Sequence, residues 1–276
     1  MVLMNTRAWL TDYFKTKDFT ASDLNKGLTN HNVLVTVRGE TFIVRFPRPD
    51  ADRIVNRSHE AKALAMIKQT GLDVETVYFD PSSGIKITRY VPDLVTFGET
   101  SLSDRIERTA ALMRRLHALQ TPIGEPFDPI ARYRQYRAHV IQPLIDDASA
   151  EIVIQAVDQL SARMTLCHND WVPGNIGFTT TRDYLLDYEY AGDNDPYFDV
   201  MSFITENELT LDERQRFLFA YFSRVPNRDE QRRLDRYEAL HNLLWCTWAQ
   251  MMWESRHEPI YQSIAFDKLN AYKAKK

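Results

Sequence analysis

Apolar and polar positions alternate along Asn32–Val37 and again along Thr41–Phe46, and Arg38-Gly39-Glu40 between them predicts a β-hairpin. In the second run Phe42, Val44 and Phe46 share one face, which leaves Ile43 and Arg45 on the other. From Ile54 to Thr70 the spacing becomes helical, carried by Ile54, Ala61, Leu64, Ala65 and Ile67, with Gly71 placed as a C-cap. Val74–Phe79 and Ile85–Tyr90 flank Asp80-Pro81-Ser82-Ser83-Gly84 and predict a second hairpin. With a helix at the start, residues 1–90 therefore read helix, hairpin, helix, hairpin. Beyond Pro92 helical patterns dominate: Ser103–Leu119, Ala131–Leu144, Ile152–Leu160, Asp212–Phe222 and Arg228–Trp253. They are interrupted at Met164–Asp187 by short strands around a polar loop. The change of character near Tyr90–Asp93 divides the chain into residues 1–90 and 91–276. The fold class expected is α+β, a small antiparallel-sheet lobe followed by a larger, mostly helical one.

Composition narrows the picture without redirecting it. In 276 residues, 44% are hydrophobic and 26% charged, which fits an ordinary globular chain with a sizeable core. A formal net charge of -4 creates no field for polyanions, so no nucleic-acid partner is expected. No apolar run is long enough to span a membrane, and the start of the chain lacks the order of a signal peptide. Cys167 and Cys246 are too few for a disulfide framework, which with the preceding points predicts a cytoplasmic protein.

The chemistry concentrates in His168-Asn169-Asp170-Trp171-Val172-Pro173-Gly174-Asn175 and in Asp187, within Leu185-Leu186-Asp187-Tyr188-Glu189-Tyr190. A hairpin through Ile176-Gly177-Phe178 and Tyr184-Leu185-Leu186 would return Asp187 beside Asp170 and Asn175. Phosphoryl transfer requires a carboxylate to accept a proton from the nucleophile and hard oxygen ligands for Mg²⁺. One Asp as base, with an Asn and an Asp as ligands, supplies that set. Isolated Asx residues in loops are commonly turn formers, and it is the combination at this spacing that points to catalysis.

These residues resemble the catalytic loop and metal-binding segment of the choline/ethanolamine kinase and aminoglycoside phosphotransferase superfamily, H-x-D-x-x-x-x-N followed by I-D-x-E-x. The resemblance implies a bilobal, protein-kinase-like fold using ATP and Mg²⁺. By it Asp170 is the catalytic base, His168 orients the loop, Asn175 and Asp187 hold Mg²⁺, and Glu189 lies near the metal or helps order the loop. Leu24-Asn25-Lys26-Gly27-Leu28-Thr29-Asn30 is similar to the family's G-G-L-T-N phosphate segment, with Lys26 replacing a glycine. That likeness implies nucleotide roles for Gly27, Thr29 and Asn30. Arg45 matches the strand cation that touches the phosphates, Glu60 its ion-pair partner, and Ile87–Pro92, including Tyr90, the adenine-binding hinge.

On the acceptor side, Asp199–Glu206 resembles F-D-I-x-N-x-F-x-E, and His241–Gln250 resembles the W-x-x-W helix of choline kinases. Glu206, Trp245 and Trp248 are then the substrate residues, because a quaternary ammonium is recognised by aromatic faces and a compensating charge. At helical spacing the two tryptophans would otherwise be a core stripe. Choline is the acceptor this resemblance favours. Thiamine, ethanolamine and an aminoglycoside are the alternatives, the last because Asp193, Asp195 and Asp199 cluster in sequence. A non-catalytic nucleotide-binding pseudokinase is the reading from another class. Val172, where choline kinases of eukaryotes carry a polar residue, and Arg256-His257-Glu258-Pro259, which reads as an insertion before the last helix, depart from the family pattern.

Overall fold

The computed structural model describes residues 2–24, 30–48, 55–161 and 163–274. It divides into two compact units, Met1–Leu94 and Val95–Lys276.

In the first unit α1 (Val2–Phe14) precedes a five-stranded antiparallel sheet of order β1-β2-β3-β5-β4, with β1 Thr20–Asp23, β2 Asn30–Val37, β3 Glu40–Pro47, β4 Thr76–Phe79 and β5 Lys86–Arg89. The β2–β3 turn consists of Arg38 and Gly39, both at positive φ (51° and 81°), the two-residue geometry whose twist suits a hairpin. One sheet face buries Val33, Val35, Val37, Phe42, Val44 and Ile87 against Leu10 of α1, with Trp9 and Tyr13 packed alongside. Helix α2 (Arg57–Ile67) starts where the Asn56 side chain caps the N–H groups of Ser58 and His59, and it buries Glu60, Ala63 and Ile67. The predicted start of this helix at Ile54 lies outside the described residues. β1 had no sequence signal, since all four of its residues are exposed and only its ladder with β2 defines it.

The second unit contains α3 (Arg105–His117), α4 (Pro129–Arg137), α5 (Asp147–Asp158), α6 (Pro196–Glu206), α7 (Leu211–Phe222), α8 (Arg228–Arg256) and α9 (Pro259–Lys273). α8 is capped by a reciprocal Asn227–Glu230 box and buries residues along much of its length against α4, α5, α6 and α9. Arg256–Pro259 forms the turn between α8 and α9: His257 closes α8 at φ 56° and Pro259 opens α9 at its first turn. α4 ends at Arg137, well short of the predicted Leu144. Pro143 cannot continue a helix, and the Glu254 carboxylate accepts the N–H groups of Ile141 and Gln142 instead. Short strands complete the unit: β7 (Thr165–Cys167) pairs with β10 (Gly192–Asn194), and β6 (Val95–Thr96), β8 (Ile176–Phe178) and β9 (Asp183–Leu185) form a three-stranded sheet. Among the described residues no helix is long and apolar enough to cross a membrane.

Candidate active site

β7 is fully buried and delivers the chain into the loop that begins at His168. Two residues of that region have left-handed backbones, Asn169 at φ 67° and Asp187 at φ 62°. Asx side chains tolerate this conformation better than most, and strain of this kind collects at functional loops. The loop backbone is held from α6. Asp199 accepts the N–H of His168 (2.9 Å) and of Asn169 (2.7 Å), and Ser202 accepts that of Trp171 (3.0 Å). His117 of α3 places Nε2 3.0 Å from the same Asp199 carboxylate. Burial alone would raise the Asp199 carboxyl, but its bonds to His117 and to the loop outweigh burial and hold it below the usual carboxylate range. The Asn169 amide donates to the carbonyl of Tyr190 (3.0 Å), and its oxygen accepts from Asn194 (2.8 Å), which locks loop to β10.

The catalytic set predicted from the sequence is brought together. Asn175 donates through Nδ2 to the Asp170 carboxylate (2.9 Å) and carbonyl (3.0 Å), and its own carbonyl accepts the N–H of Leu186 (2.7 Å). His168 donates from Nε2 to the Leu186 carbonyl at 2.8 Å, immediately before Asp187. His168 is fully buried, and burial holds it below the usual imidazole range, so it is neutral and ties its loop to the segment that carries Asp187. Burial, then the negative charges of Glu206, Glu189 and Asp187, push the Asp170 carboxyl well above the usual range, against the opposing Asn175 bond. Four carboxylates thus crowd one region. Tyr190, whose hydroxyl is pushed up by burial and by Tyr136, Glu189 and Asp170, adjoins them and meets Trp245 edge-on at 5.7 Å.

Of the residues assigned to the acceptor from the sequence, Trp245 and Trp248 pack into one aromatic layer with Tyr190 and Tyr261. Trp245 contacts Trp248 edge-on at 5.8 Å, and Trp248 contacts Tyr261 at 5.6 Å. The Trp245 indole N–H donates to His241 Nε2 (2.9 Å), and His241 Nδ1 lies 2.8 Å from the Thr205 hydroxyl. Glu206 ends α6, but its carboxylate is already engaged, with Lys268 Nζ 2.6 Å from Oε1. The sequence reading of Glu206 as a bare compensating charge missed this lysine. The acids that kept a polycationic acceptor in view are all engaged by the fold. Asp193 accepts the N–H groups of Ile123, Gly124 and Glu125, Asp195 pairs with Arg233, and Asp199 holds the loop.

In the first unit Arg45 donates to Glu60 Oε2 at 2.7 Å, the pair predicted from the sequence, with Glu60 wholly buried. Lys86, not anticipated, reaches Glu60 Oε1 at 3.2 Å. The signal for it was register: Arg45 and Lys86 stand opposite each other on β3 and β5, and two cations there call for a shared anion. Asn30 opens β2 and is buried, and Tyr90 follows β5, donating its N–H to the Thr41 carbonyl at 3.0 Å. Gly27 and Thr29 lie outside the described residues.

Residues 20–244 match the model of the phosphotransferase enzyme family. The chain belongs to that family. A curated relative, Protein LicA of Haemophilus influenzae, is 29% identical over 266 residues, covering 89% of this chain and 76% of the relative. The structure of choline kinase LicA from Streptococcus pneumoniae is similar with a TM-score of 0.81 at 23% identity, covering 99% of both chains. The structure of LicA in complex with AMP is similar with a TM-score of 0.78 at 23% identity, covering 97% of both. This phosphotransferase therefore has the protein-kinase-like α+β fold expected. Its sequence reading overlooked the anchoring role of Asp199 and His117. Asp199 was visible only as one of several acids, and nothing local distinguishes an acid that holds a loop from one that faces a ligand.

For this phosphotransferase, Arg45→Ala is expected to raise the KM for ATP by roughly 10- to 100-fold, the loss of a charge-assisted contact. The KM for the acceptor should stay nearly constant. Steady-state kinetics with each substrate varied in turn would show it, and the reverse pattern would assign Arg45 to the acceptor.

Proposed function

We propose that this phosphotransferase moves the γ-phosphoryl group of ATP to the hydroxyl of choline, giving phosphocholine. The observation that carries the reading is the layer of Tyr190, Trp245 and Trp248 adjoining the carboxylates that crowd Asp170. A trimethylammonium group has no N–H to donate and is held by aromatic faces and nearby negative charge. The relative named LicA and the fold shared with choline kinase LicA support the same acceptor.

Asp170 is then the base. Its carboxylate is held by Asn175 and lies where a hydroxyl carried by a cation would be drawn. The Arg45–Glu60 pair, with Lys86, makes the first unit the nucleotide-binding one, joined in that role by Gly27, Thr29, Asn30 and Tyr90. The AMP complex of LicA supports a nucleotide donor.

The residues present fit Mg²⁺. Asn175 uses its amide N–H groups on Asp170, which leaves Oδ1 as an acceptor, and Asp187 adds a carboxylate from the facing strand end. Both are hard oxygen donors, and the mutual repulsion of Asp170, Asp187, Glu189 and Glu206 is of the kind a dication relieves. When bound, Mg²⁺ would neutralise charge on the nucleotide phosphates. Glu189, buried within its short helical turn, orders the segment after Asp187. An ATP-dependent reaction of this kind belongs in the cytoplasm.

The test is acceptor kinetics with ATP–Mg²⁺. Choline should exceed ethanolamine in kcat/KM by about tenfold or more, equivalent to about 1.4 kcal/mol. Trp248→Ala should raise the KM for choline by roughly tenfold, within the range of one desolvated cation–π contact, with ATP kinetics preserved. Equal use of choline and ethanolamine, or choline kinetics indifferent to Trp245→Ala and Trp248→Ala, would overturn the reading.

A further inference from the structure

The C-terminal end of α6 carries a cation that the choline reading does not ask for. Lys268, on α9, is largely buried at 8% exposure. Its ammonium lies 2.6 Å from Glu206 Oε1 and 3.3 Å from the Thr205 carbonyl. A cation is favoured at that end of a helix, where carbonyl dipoles converge. His241 comes within 3.6 Å of the same Glu206 oxygen, but it brings no charge. Its Nε2 accepts the Trp245 indole N–H, and burial together with the charge of Lys268 holds it neutral. Asp170, Asp187 and Glu189 supply the other charges of the region. Among the described residues Lys268 is thus the one permanently charged partner of Glu206.

We propose that Lys268 is a specificity-determining residue, one that occupies Glu206 and so disfavours acceptors carrying a primary ammonium group. The proposal rests on the choline reading and extends it to why ethanolamine is rejected. A primary ammonium has three N–H groups, each of which must find an acceptor once it leaves water. Glu206 would be the natural acceptor, and Lys268 already holds its Oε1 and cancels its charge. A quaternary ammonium loses no hydrogen bond by this, since it donates none and rests on the rings and the remaining carboxylates around Asp170. Lys268 repels both cations alike by charge. What it removes is the hydrogen-bonding capacity that only one of them uses, so discrimination comes from an element set against the wrong substrate.

The experiment compares kcat/KM for ethanolamine and choline in the parent, Lys268→Met, Lys268→Gln and Lys268→Arg, with thermal unfolding of each. Lys268→Met and Lys268→Gln should each raise the ethanolamine-to-choline ratio by about tenfold, chiefly through a lower KM for ethanolamine. Lys268→Arg should leave the ratio near the parent's. The double variant Lys268→Met/Glu206→Gln should lose the gain, because the carboxylate being released is gone. Lys268→Gln, one atom shorter than lysine and uncharged, gives up the contact with Glu206 yet keeps a polar end at this largely buried position, so it reports the ratio even if Lys268→Met unfolds. An unchanged ratio in a folded Lys268→Gln that still uses choline would overturn this proposal alone, leaving Lys268 a pin between α9 and α6. A parent that phosphorylates neither amino alcohol would overturn the choline reading, and this proposal with it.

Discussion

Asp170→Ala is expected to lower kcat by roughly 10²–10⁴-fold, the usual contribution of a positioned general base. The KM for ATP should be nearly unaffected, because the contacts assigned to the nucleotide come from Arg45, Glu60 and Lys86 in the other unit. The loss should not come from unfolding. Asp170 is half-buried and lies near Glu206, Glu189 and Asp187, whose charges oppose its own, so removing it relieves repulsion. The variant should therefore melt no lower than the parent in metal-free buffer, with the lost Asn175 bond working modestly in the other direction. A folded variant with near-normal turnover would remove Asp170 from the chemistry.

Asp187→Asn should have an effect of comparable size through a different route. Asp187 sits at φ 62° and ψ 74°, a backbone that Asn adopts readily, so this substitution removes a charge and leaves the loop in place. A dication whose one charged protein ligand becomes a neutral amide should bind more weakly. The Mg²⁺ concentration for half-maximal activity should rise by roughly tenfold or more, with kcat still depressed at saturation. Mg²⁺-dependent protection against thermal unfolding in the presence of ATP should shrink in parallel. Superimposable Mg²⁺ activation curves for parent and variant would exclude Asp187 as a ligand.

The parts of this fold legible in the sequence are those where local chemistry and burial agree. The Arg38-Gly39 turn, the alternation of β3 and the long helical period of α8 were visible because each is determined by residues close in the chain. The Asp170–Asn175–Asp187 set was visible because a hairpin only a dozen or so residues long, about the length of a common β-hairpin unit, closes it. What stayed hidden depends on partners far apart in the chain. β1 is exposed at every position and exists through β2. Lys86 gains meaning only from its register with Arg45, and Lys268 only from α9 being packed where α6 ends. Asp193, Asp195 and Asp199 are alike in sequence, and only the fold separates a loop clamp, an ion pair with Arg233 and the anchor of the loop that carries Asp170.

α6 is the mount for more than one function. Asp199 and Ser202 grip the loop that carries Asp170, and Glu206, one further turn along, is the carboxylate we propose for the acceptor. A helix rises about 1.5 Å per residue and resists stretching, so the spacing between loop anchor and acceptor carboxylate is that of a rigid ruler, about 10 Å over seven residues. Acceptor range in this chain can then be altered by changing side chains along the ruler, but not by letting the backbone give. A mutation that tilts α6 should disturb turnover and acceptor affinity together, so variants selected for longer or shorter amino alcohols should keep α6 and vary what faces it.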